Sequence, residues 1–190
     1  MYEVRFHGRG GQGAVTAAAM LAAALLEEGK YAVSIPSFGF ERRGAPVVSF
    51  LRCSDREIRQ LTNIYTPDCL ICVDPTLAKT VDIFGGLKPG GTLVQATNKP
   101  LAEVALSPSV ATVGLCDAIG IALQIFSKPI TNTLMLGAFA RTTGVVSLDA
   151  LKRSLEDSDF RDAGLKQNLL ALERGYNETT VYQIPQRAAA

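Results

Sequence analysis

The sequence predicts an α/β fold with a mostly parallel sheet, flanking helices, a Rossmann-like glycine-rich first βα turn and a helical C-terminal third. Three observations support this fold class. A short strand pattern at the N-terminus passes through a glycine-rich turn directly into an alanine-rich helix. Strand patterns then continue in a βαβ rhythm to about residue 115. After that point the apolar residues recur at helical spacing.

The length and composition fit one domain. The chain has 190 residues, of which 47% are hydrophobic, which suffices for one buried core and is too little for two comfortable ones. We expect a single domain over residues 1–182 and a C-terminal tail over residues 183–190. The net charge is +1 without a basic tract or basic–aromatic interleaving, so we expect no nucleic-acid partner.

The apolar segments are too short for a membrane span. The longest, Ala14 to Leu26, is mostly alanine and falls short of the roughly 20 apolar residues that a spanning helix needs. Glu3 and Arg5 lie where a signal peptide would have a basic segment followed by an apolar one. We therefore expect a cytoplasmic protein without a membrane span.

The first strand is predicted at Tyr2 to Phe6, and the first helix at Ala14 to Glu28, with Gly29 as its C-cap. The glycines of the connecting turn satisfy G-x-G-x-x-G in a strand–turn–helix context. Glycine leaves backbone N–H groups unshielded, and the helix N-terminus adds about half a positive charge. The turn is therefore predicted to bind a phosphate or carboxylate. The alternative is that its glycines only allow helix and strand to pack closely.

The acidic residue of a dinucleotide site is missing. Such a site normally has Asp or Glu about 20 residues after the glycine motif, where it binds the ribose hydroxyls. The segment Ala32 to Ser37 contains no acidic residue, and Glu27 and Glu28 are expected to face water at the end of the first helix. The pattern predicts an anion site and argues against NAD.

A second notable segment, residues 36–46, separates strands predicted at Tyr31–Ile35 and Val47–Leu51. It contains two glycines, two prolines, two phenylalanines and the adjacent Arg42 and Arg43. Aromatic residues and arginine are enriched at protein interfaces, and arginine suits phosphate. We expect a partner or phosphate contact here. The alternative is a solvated turn with its phenylalanines packed beneath it.

The middle of the chain is predicted to contain a loop with a short helix over Ser54 to Tyr65. Asp74 as N-cap and Pro75 as first helical residue predict a helix that runs to about Phe84. Further strands are predicted at Asp68–Val73, Thr92–Ala96 and Val110–Leu115. Helices are predicted at Asp117–Ile125, Asn132–Arg141, ending near Gly144, and Leu148–Leu155, capped by Ser147, with a fourth around Leu165–Tyr176.

The four cysteines do not form a metal motif. Cys69 and Cys72 have C-x-x-C spacing inside a buried strand, where residues three apart point to opposite faces. We expect structural thiols, since an iron–sulfur cluster normally needs four cysteines presented by loops. His7, the only histidine, is more typical of a hydrogen-bonded structural residue than of a ligand contact. No catalytic residue and no metal ligand set is predicted, which favours a subunit that completes another chain's active site.

Three segments carry a family resemblance: Phe6–Ala18, Phe38–Pro46, and Thr131–Arg141 followed by Val146–Asp149. In this order they resemble the signatures of the gamma subunit of 2-oxoacid:acceptor oxidoreductases, the pyruvate, 2-oxoisovalerate and phenylglyoxylate type. The resemblance implies a complex that oxidatively decarboxylates a 2-oxoacid and transfers the acyl group to coenzyme A. The gamma subunit itself is expected to be non-catalytic.

The resemblance also implies partners. Thiamine diphosphate with magnesium would lie on alpha and beta subunits, and iron–sulfur clusters on a delta-type subunit that passes electrons to ferredoxin or another acceptor. The gamma chain would contribute to a shared coenzyme A site and to subunit contacts. We expect the following residues at coenzyme A phosphates or at the subunit junction: Gly8, Arg9, Gly10, Gly11, Gln12, Gly13, Arg42 and Arg43. The alternatives are a stand-alone NAD-binding Rossmann enzyme and a pure assembly scaffold.

Overall fold

One seven-stranded sheet organises the computed structural model, which describes residues 1–36, 43–157 and 164–186. The strands are β1 (Tyr2–Arg9), β2 (Tyr31–Pro36), β3 (Pro46–Ser54), β4 (Cys69–Cys72), β5 (Gly91–Ala96), β6 (Val110–Cys116) and β7 (Thr180–Gln183). The helices are α1 (Ala14–Glu27), α2 (Ala118–Phe126), α3 (Asn132–Thr143), α4 (Leu148–Glu156) and α5 (Leu165–Asn177). The predicted α/β class with a helical C-terminal third is confirmed.

The strand order is β2-β3-β1-β4-β5-β6-β7. The four central strands β1, β4, β5 and β6 are parallel, as predicted. The outer strands do not continue this parallel arrangement. β3 runs antiparallel to both β1 and β2, and β7 runs antiparallel to β6. A parallel crossover needs a dozen or more residues, and the link between β2 and β3 is shorter than that. The chain therefore turns back and inserts β3 beside β1.

The helices α1, α3, α4 and α5 cover one face of the sheet. Its core includes Phe6, Leu21 and Phe139, which are fully buried. α3 and α5 pack backbone to backbone, since a Cβ at Gly137 would collide with the carbonyl oxygen of Leu172 and one at Gly175 with that of Leu134. The small residues of this helix pair therefore set how closely the two helices approach.

Loops instead of helices cover the opposite face. The helix predicted from Asp74 to about Phe84 is wrong, because only a 3-10 turn forms there, at Leu77–Lys79. Asp74 Oδ1 accepts hydrogen bonds from the Thr76 backbone N–H at 2.9 Å and from its hydroxyl at 2.6 Å. The guanidinium of Arg5 donates to the carbonyl oxygens of Ile83 and Gly85 at 2.9 and 2.7 Å. These side chains compete successfully with helical hydrogen bonds.

A second arginine explains why the short helix predicted within Ser54 to Tyr65 is also absent. Arg52 is buried and donates to the carbonyl oxygens of Gln60, Thr62 and Asn63 at 3.1, 2.6 and 3.4 Å. Its Nε forms an ion pair with Glu3 at 2.8 Å. The loop is therefore held in an extended path by one buried cation.

The helix boundaries in the C-terminal third follow the local signals. Gly144, with φ 64°, ends α3, and the Ser147 hydroxyl accepts from the Ala150 N–H at the start of α4, as predicted. Glu28 does not simply face water, because its carboxylate accepts from the Ser147 N–H at 2.8 Å. Glu27 is exposed, as expected.

The residues predicted as a tail from Gln183 begin inside a strand. Gln183 belongs to β7, Ile184 N donates to the Ala111 carbonyl at 2.8 Å, and the Gln186 side chain donates to the Val110 carbonyl at 2.8 Å. This edge strand was not predicted, because a four-residue strand is stabilised mainly by its neighbour. No helix within the described ranges is long and apolar enough to cross a membrane.

All four cysteines are buried free thiols. Cys69 packs in the core beneath the helices, whereas Cys72 packs in the cluster on the loop-covered face. The prediction that these two thiols point to opposite faces is therefore confirmed, and they cannot bind one ion together.

Candidate functional site

The carboxyl ends of the four parallel strands meet at one edge of the sheet. The next two strands in the chain, β2 and β3, lie on one side of β1, and β4 lies on its other side. The chain therefore crosses from one side of β1 to the other between β3 and β4. Open α/β sheets bind ligands in the crevice at such a switch point. The glycine-rich turn after β1 and the loop after β4 lie at this crevice.

The glycines of the turn have different roles. β1 extends to Arg9, beyond the predicted Phe6, so Gly8 is a strand residue, and a Cβ there would lie 2.6 Å from Val73 Cγ2. Close packing explains Gly8. Gly11 and Gly13 have φ 92° and 77°, a left-handed backbone that side chains disfavour, so these two glycines shape the turn itself.

The turn lies beside two helix N-termini. Gly13 precedes α1, and Thr131 precedes α3, and neither helix has a side-chain cap or an acidic residue in its first turn. The two helix starts are in contact, because a Cβ at Gly13 would lie 3.0 Å from the side-chain nitrogen of Asn132. The first backbone N–H groups of a helix lack intrahelical partners and attract anions.

A cavity of about 280 Å³ opens in front of these helix starts, and we call it the glycine cradle. It is lined by Arg9, Gly10, Gly11, Gln12, Arg43, Gly44, Val73, Ile119, Pro129 and Thr131. The cradle brings together Arg9, Gly10, Gly11, Gln12 and Arg43 of the predicted site residues. That they bind an anion stays a prediction.

Arg9 is already engaged within the chain. Its Nε forms an ion pair with Asp74 Oδ2 at 3.0 Å, and its two Nη atoms donate to the Gly44 carbonyl and the Thr76 hydroxyl, each at 3.1 Å. Gln12 joins the network, because its Nε2 donates to Asp74 at 3.0 Å and its Oε1 accepts from the Arg9 N–H at 2.6 Å. Arg9 therefore ties the turn to the β4 loop.

Asp74 remains ionised in this network. Burial alone would raise the pKa of its carboxyl group, but hydrogen bonds from Thr76 and Gln12 and the charge of Arg9 outweigh burial and lower that pKa. The charges of Arg9 and Asp74 therefore largely cancel.

Arg43 is different. Its side chain is exposed, lines the cradle, and has no hydrogen-bond or ion-pair partner among the described residues. It is therefore the cation of the cradle that remains available to a ligand. Arg42, the other predicted arginine, lies outside the described residues.

His7 is a structural residue, as predicted. It is 5% exposed, and its Nε2 accepts a hydrogen bond from Arg5 Nε at 3.0 Å. Burial, helped by the charge of Arg5, lowers the His7 pKa to about 4. The imidazole is thus neutral at physiological pH.

A second, larger cavity was not predicted. It has a volume of about 480 Å³, lies at the ends of β4, β5 and β6, and shares Ile119 with the glycine cradle. We call it the β5 slot; its lining residues include Thr76, Lys79, Gln95, Asn98, Ile119 and Leu123. No motif marks it. The one sequence signal is the polar Gln95 in the otherwise apolar end of β5.

The fold and this edge define a Rossmann-like α/β domain with the glycine cradle at its switch point. The family model for pyruvate ferredoxin/flavodoxin oxidoreductase matches residues 3–178. The gamma subunit of NADH-dependent phenylglyoxylate dehydrogenase from Aromatoleum evansii is 77% identical over 190 residues, 100% of both chains. The common gamma subunit of pyruvate/ketoisovalerate oxidoreductases from Thermococcus kodakarensis is 48% identical, covering 97% of this chain and 100% of that one.

Solved structures of other oxidoreductases have the same fold as this chain. A pyruvate oxidoreductase subunit from Thermotoga maritima superposes with a TM-score of 0.83 at 37% identity, covering 96% of this chain and 98% of that one. A 2-oxoglutarate:ferredoxin oxidoreductase from Magnetococcus marinus shares the fold, with a TM-score of 0.72 at 22% identity, over 92% of this chain and 30% of that one. The chain belongs to the pyruvate ferredoxin/flavodoxin oxidoreductase family and is a non-catalytic gamma subunit within it.

The stand-alone NAD enzyme and the pure scaffold are not favoured. In a Rossmann dinucleotide site, the strand beside β1 is parallel to it and carries the ribose-binding acid. Here that neighbour is the antiparallel β3, and β2 lies at the sheet edge. Neither the sequence nor the strand order therefore provides an acidic residue at the position that binds the ribose.

Proposed function

We propose that this chain serves the coenzyme A end of a complex that oxidatively decarboxylates a 2-oxoacid to an acyl-CoA. The observation that carries the proposal is the glycine cradle, where two helix starts without side-chain caps lie beside a cavity lined by Arg43, which has no partner within the described ranges. Such an arrangement suits phosphate, and coenzyme A is a phosphate-rich acyl acceptor. The Magnetococcus marinus relative of the same fold is described with coenzyme A and succinyl-CoA bound.

The geometry refines the roles proposed for the individual residues. Arg43, and Arg42 by its sequence position, would contact phosphate directly, as would the backbone N–H groups of Gly11 and Gly13. The Gly10 N–H donates to the Ala45 carbonyl at 2.9 Å, so Gly10 would act by holding the turn against residues 44–45. Arg9 and Gln12 would act by holding the turn against Asp74. Gly8 would contribute only the close approach of β1 to its neighbours.

The chemistry of bond breaking is proposed to reside on other chains. Thiamine diphosphate with magnesium would be bound by alpha and beta subunits, and iron–sulfur clusters by a delta-type subunit. In the described part of the chain no group of three or more His, Cys, Asp or Glu could hold a metal ion. Burial raises the Cys72 pKa to about 12, so this thiol is a poor metal ligand.

The electron acceptor and compartment are proposed on chemical grounds. The phenylglyoxylate dehydrogenase relative is named as NADH-dependent, so NAD is an acceptor to test beside ferredoxin. Four free thiols in one domain suit the reducing cytoplasm. Residues 1–182 are proposed to act as one domain.

The direct test is Arg43→Ala in the purified complex. Loss of one charge-assisted hydrogen bond should raise the KM for coenzyme A by about tenfold and leave the KM for the 2-oxoacid unchanged. The matched control is Arg59→Ala, because Arg59 is 85% exposed and follows β3, at the opposite edge of the sheet. An unchanged KM for coenzyme A in a fully assembled Arg43→Ala complex would refute the placement of phosphate in the cradle.

A further inference from the structure

The β5 slot is lined by a buried side-chain amide, that of Gln95. Gln95 is 7% exposed, lines the slot, and forms no side-chain hydrogen bond with any described residue. A buried polar group normally has a partner, because leaving it unpaired costs about 1–3 kcal/mol. Only Asn132 Oδ1 is a fully enclosed side-chain atom without a partner in the described ranges, so the amide of Gln95 is open to the slot.

The position of Gln95 follows from the sheet. β5 pairs in register with β4, and Gln95 lies opposite Cys72 at the carboxyl ends of both strands. Leu93, two residues earlier on the same face, is fully buried in the loop-covered cluster. The strand therefore fixes the backbone of Gln95 at the slot, and its side-chain amide is part of the slot lining.

The slot has apolar walls and a charged rim. Of its acidic lining residues, Glu103 is paired with Lys99, and Asp117 caps α2 by accepting from the Gly120 N–H. Ile119 and Leu123 of α2 line one side, and Val104 and Ala105 are also part of the lining. Ile119 and Leu123 are 41% and 49% exposed, so both offer apolar surface to a molecule in the slot. Its volume of about 480 Å³ lies in the range of small-molecule sites.

The combination selects a class of ligand. A primary amide offers one donor and one acceptor side by side, and Gln pairs through both with the N6 and N7 edge of adenine. The flat faces of adenine suit aliphatic walls. Lys79 lies at the slot and has no ion-pair partner among the residues described, so it suits a phosphate on the same nucleotide.

The slot and the cradle form one continuous edge. Ile119 lines both, and Thr76 of the slot accepts a hydrogen bond from Arg9 of the cradle at 3.1 Å. We propose that the β5 slot binds the adenine nucleotide of coenzyme A, with Gln95 on the adenine edge and the diphosphate in the glycine cradle. This inference rests on the proposed function and adds the residues that read the base.

The test compares two acyl acceptors in the purified complex. Pantetheine carries the reactive thiol without the nucleotide, so it should not depend on the slot. Gln95→Leu removes the donor–acceptor pair at similar volume and should lower kcat/KM with coenzyme A about tenfold while pantetheine changes less than about twofold. Adenosine 3′,5′-bisphosphate should inhibit the wild-type complex competitively against coenzyme A, and Gln95→Leu should weaken that inhibition by a similar factor.

A second variant tests the same proposal independently, in case Gln95→Leu does not fold. Leu123→Trp fills the slot from an exposed helix face and should give the same pattern. Its matched control is Leu170→Trp, at a residue 46% exposed on α5 and outside both cavities, which should change neither acceptor. The inference is overturned if Leu123→Trp affects both acceptors equally, or neither.

The two proposals fail separately. If Arg43→Ala raises the KM for coenzyme A but the slot variants do not, the slot does not bind the nucleotide and the proposed function stands. If the slot variants lose inhibition by adenosine 3′,5′-bisphosphate while Arg43→Ala has no effect, the slot assignment stands and the phosphate placement in the cradle is wrong.

Discussion

The guanidinium of Arg9 lies 3.0 Å from the carboxylate of Asp74, and this pair joins the first and second parallel strands at the switch point of the sheet. The sequence predicts Arg9 at coenzyme A phosphates or at the subunit junction. In the structure its charge is balanced by Asp74, and all of its side-chain nitrogens donate to groups of the chain itself. The pair therefore shapes the cradle, and Arg43 is the cradle arginine whose charge no described residue balances.

Removing Arg9 is expected to act through Asp74. Arg9→Ala leaves an uncompensated carboxylate beside the cradle and should raise the KM for coenzyme A by about tenfold, because like charges repel phosphate. The double variant Arg9→Ala with Asp74→Asn removes that carboxylate and should recover most of the loss. Steady-state kinetics of the complex measure both. A double variant no better than Arg9→Ala alone would show that Arg9 acts as a direct ligand.

His7 makes the stability of the chain depend on pH. Its pKa is about 4 in the fold, against 6.5 in the unfolded chain, so its contribution is complete above pH 6.5 and declines as the pH falls toward 4. The loss over that window is up to about 3 kcal/mol. Urea unfolding from pH 4 to 8 should show a steeper decline for wild type than for His7→Gln, which keeps an acceptor for Arg5. Parallel curves would contradict this.

Gly137 determines how closely α3 and α5 pack. Gly137→Ala should lower the free energy of unfolding by about 1–3 kcal/mol, because the added methyl collides with the backbone of Leu172, although alanine favours the helix. Gly29→Ala is the comparison: φ is 75° there, but no atom lies within 4 Å of the new Cβ. It reports backbone strain alone, about 1 kcal/mol. Thermal unfolding that ranks Gly137→Ala as the milder change would disprove the collision.

Arg52 holds a long loop on the sheet. Arg52→Met should lower the free energy of unfolding by about 3–5 kcal/mol, since it leaves Glu3 half-paired and frees three loop carbonyls. Hydrogen exchange should accelerate around Gln60 to Ile64 and remain slow in β5. The exposed Arg59→Ala should leave exchange unchanged. Equal protection of the loop in Arg52→Met would mean that other contacts fix it.

Local signals predicted the parts of the site that depend on neighbouring residues. The glycine-rich turn, the Gly144 stop and the Ser147 cap are each defined within a few residues, so they were legible in the sequence. The helix after Asp74 was also predicted from local signals, and it fails. Its cap residue is taken by Thr76, Gln12 and Arg9, and the carbonyls near its expected end by Arg5, which lies some eighty residues away in the chain.

The β5 slot is a stronger example of a feature that local sequence signals do not predict. Gln95 looks like one polar residue in an apolar strand, and Leu123 like one apolar residue in a helix. Nothing in their separation indicates a shared cavity. The two residues line one cavity only because the parallel strands align their carboxyl ends beneath α2.

The amino-acid sequence by itself determined the family, the α/β class, the glycine-rich turn and the opposite-facing thiols, because each depends on spacing along the chain. Only the tertiary structure decided that β3 separates β1 from β2 and that Arg9 is neutralised by Asp74. It also decided that Arg43 and Gln95 find no side-chain partner among the described residues. These outcomes depend on contacts between residues far apart in the chain. Such contacts form only when the whole sheet is assembled.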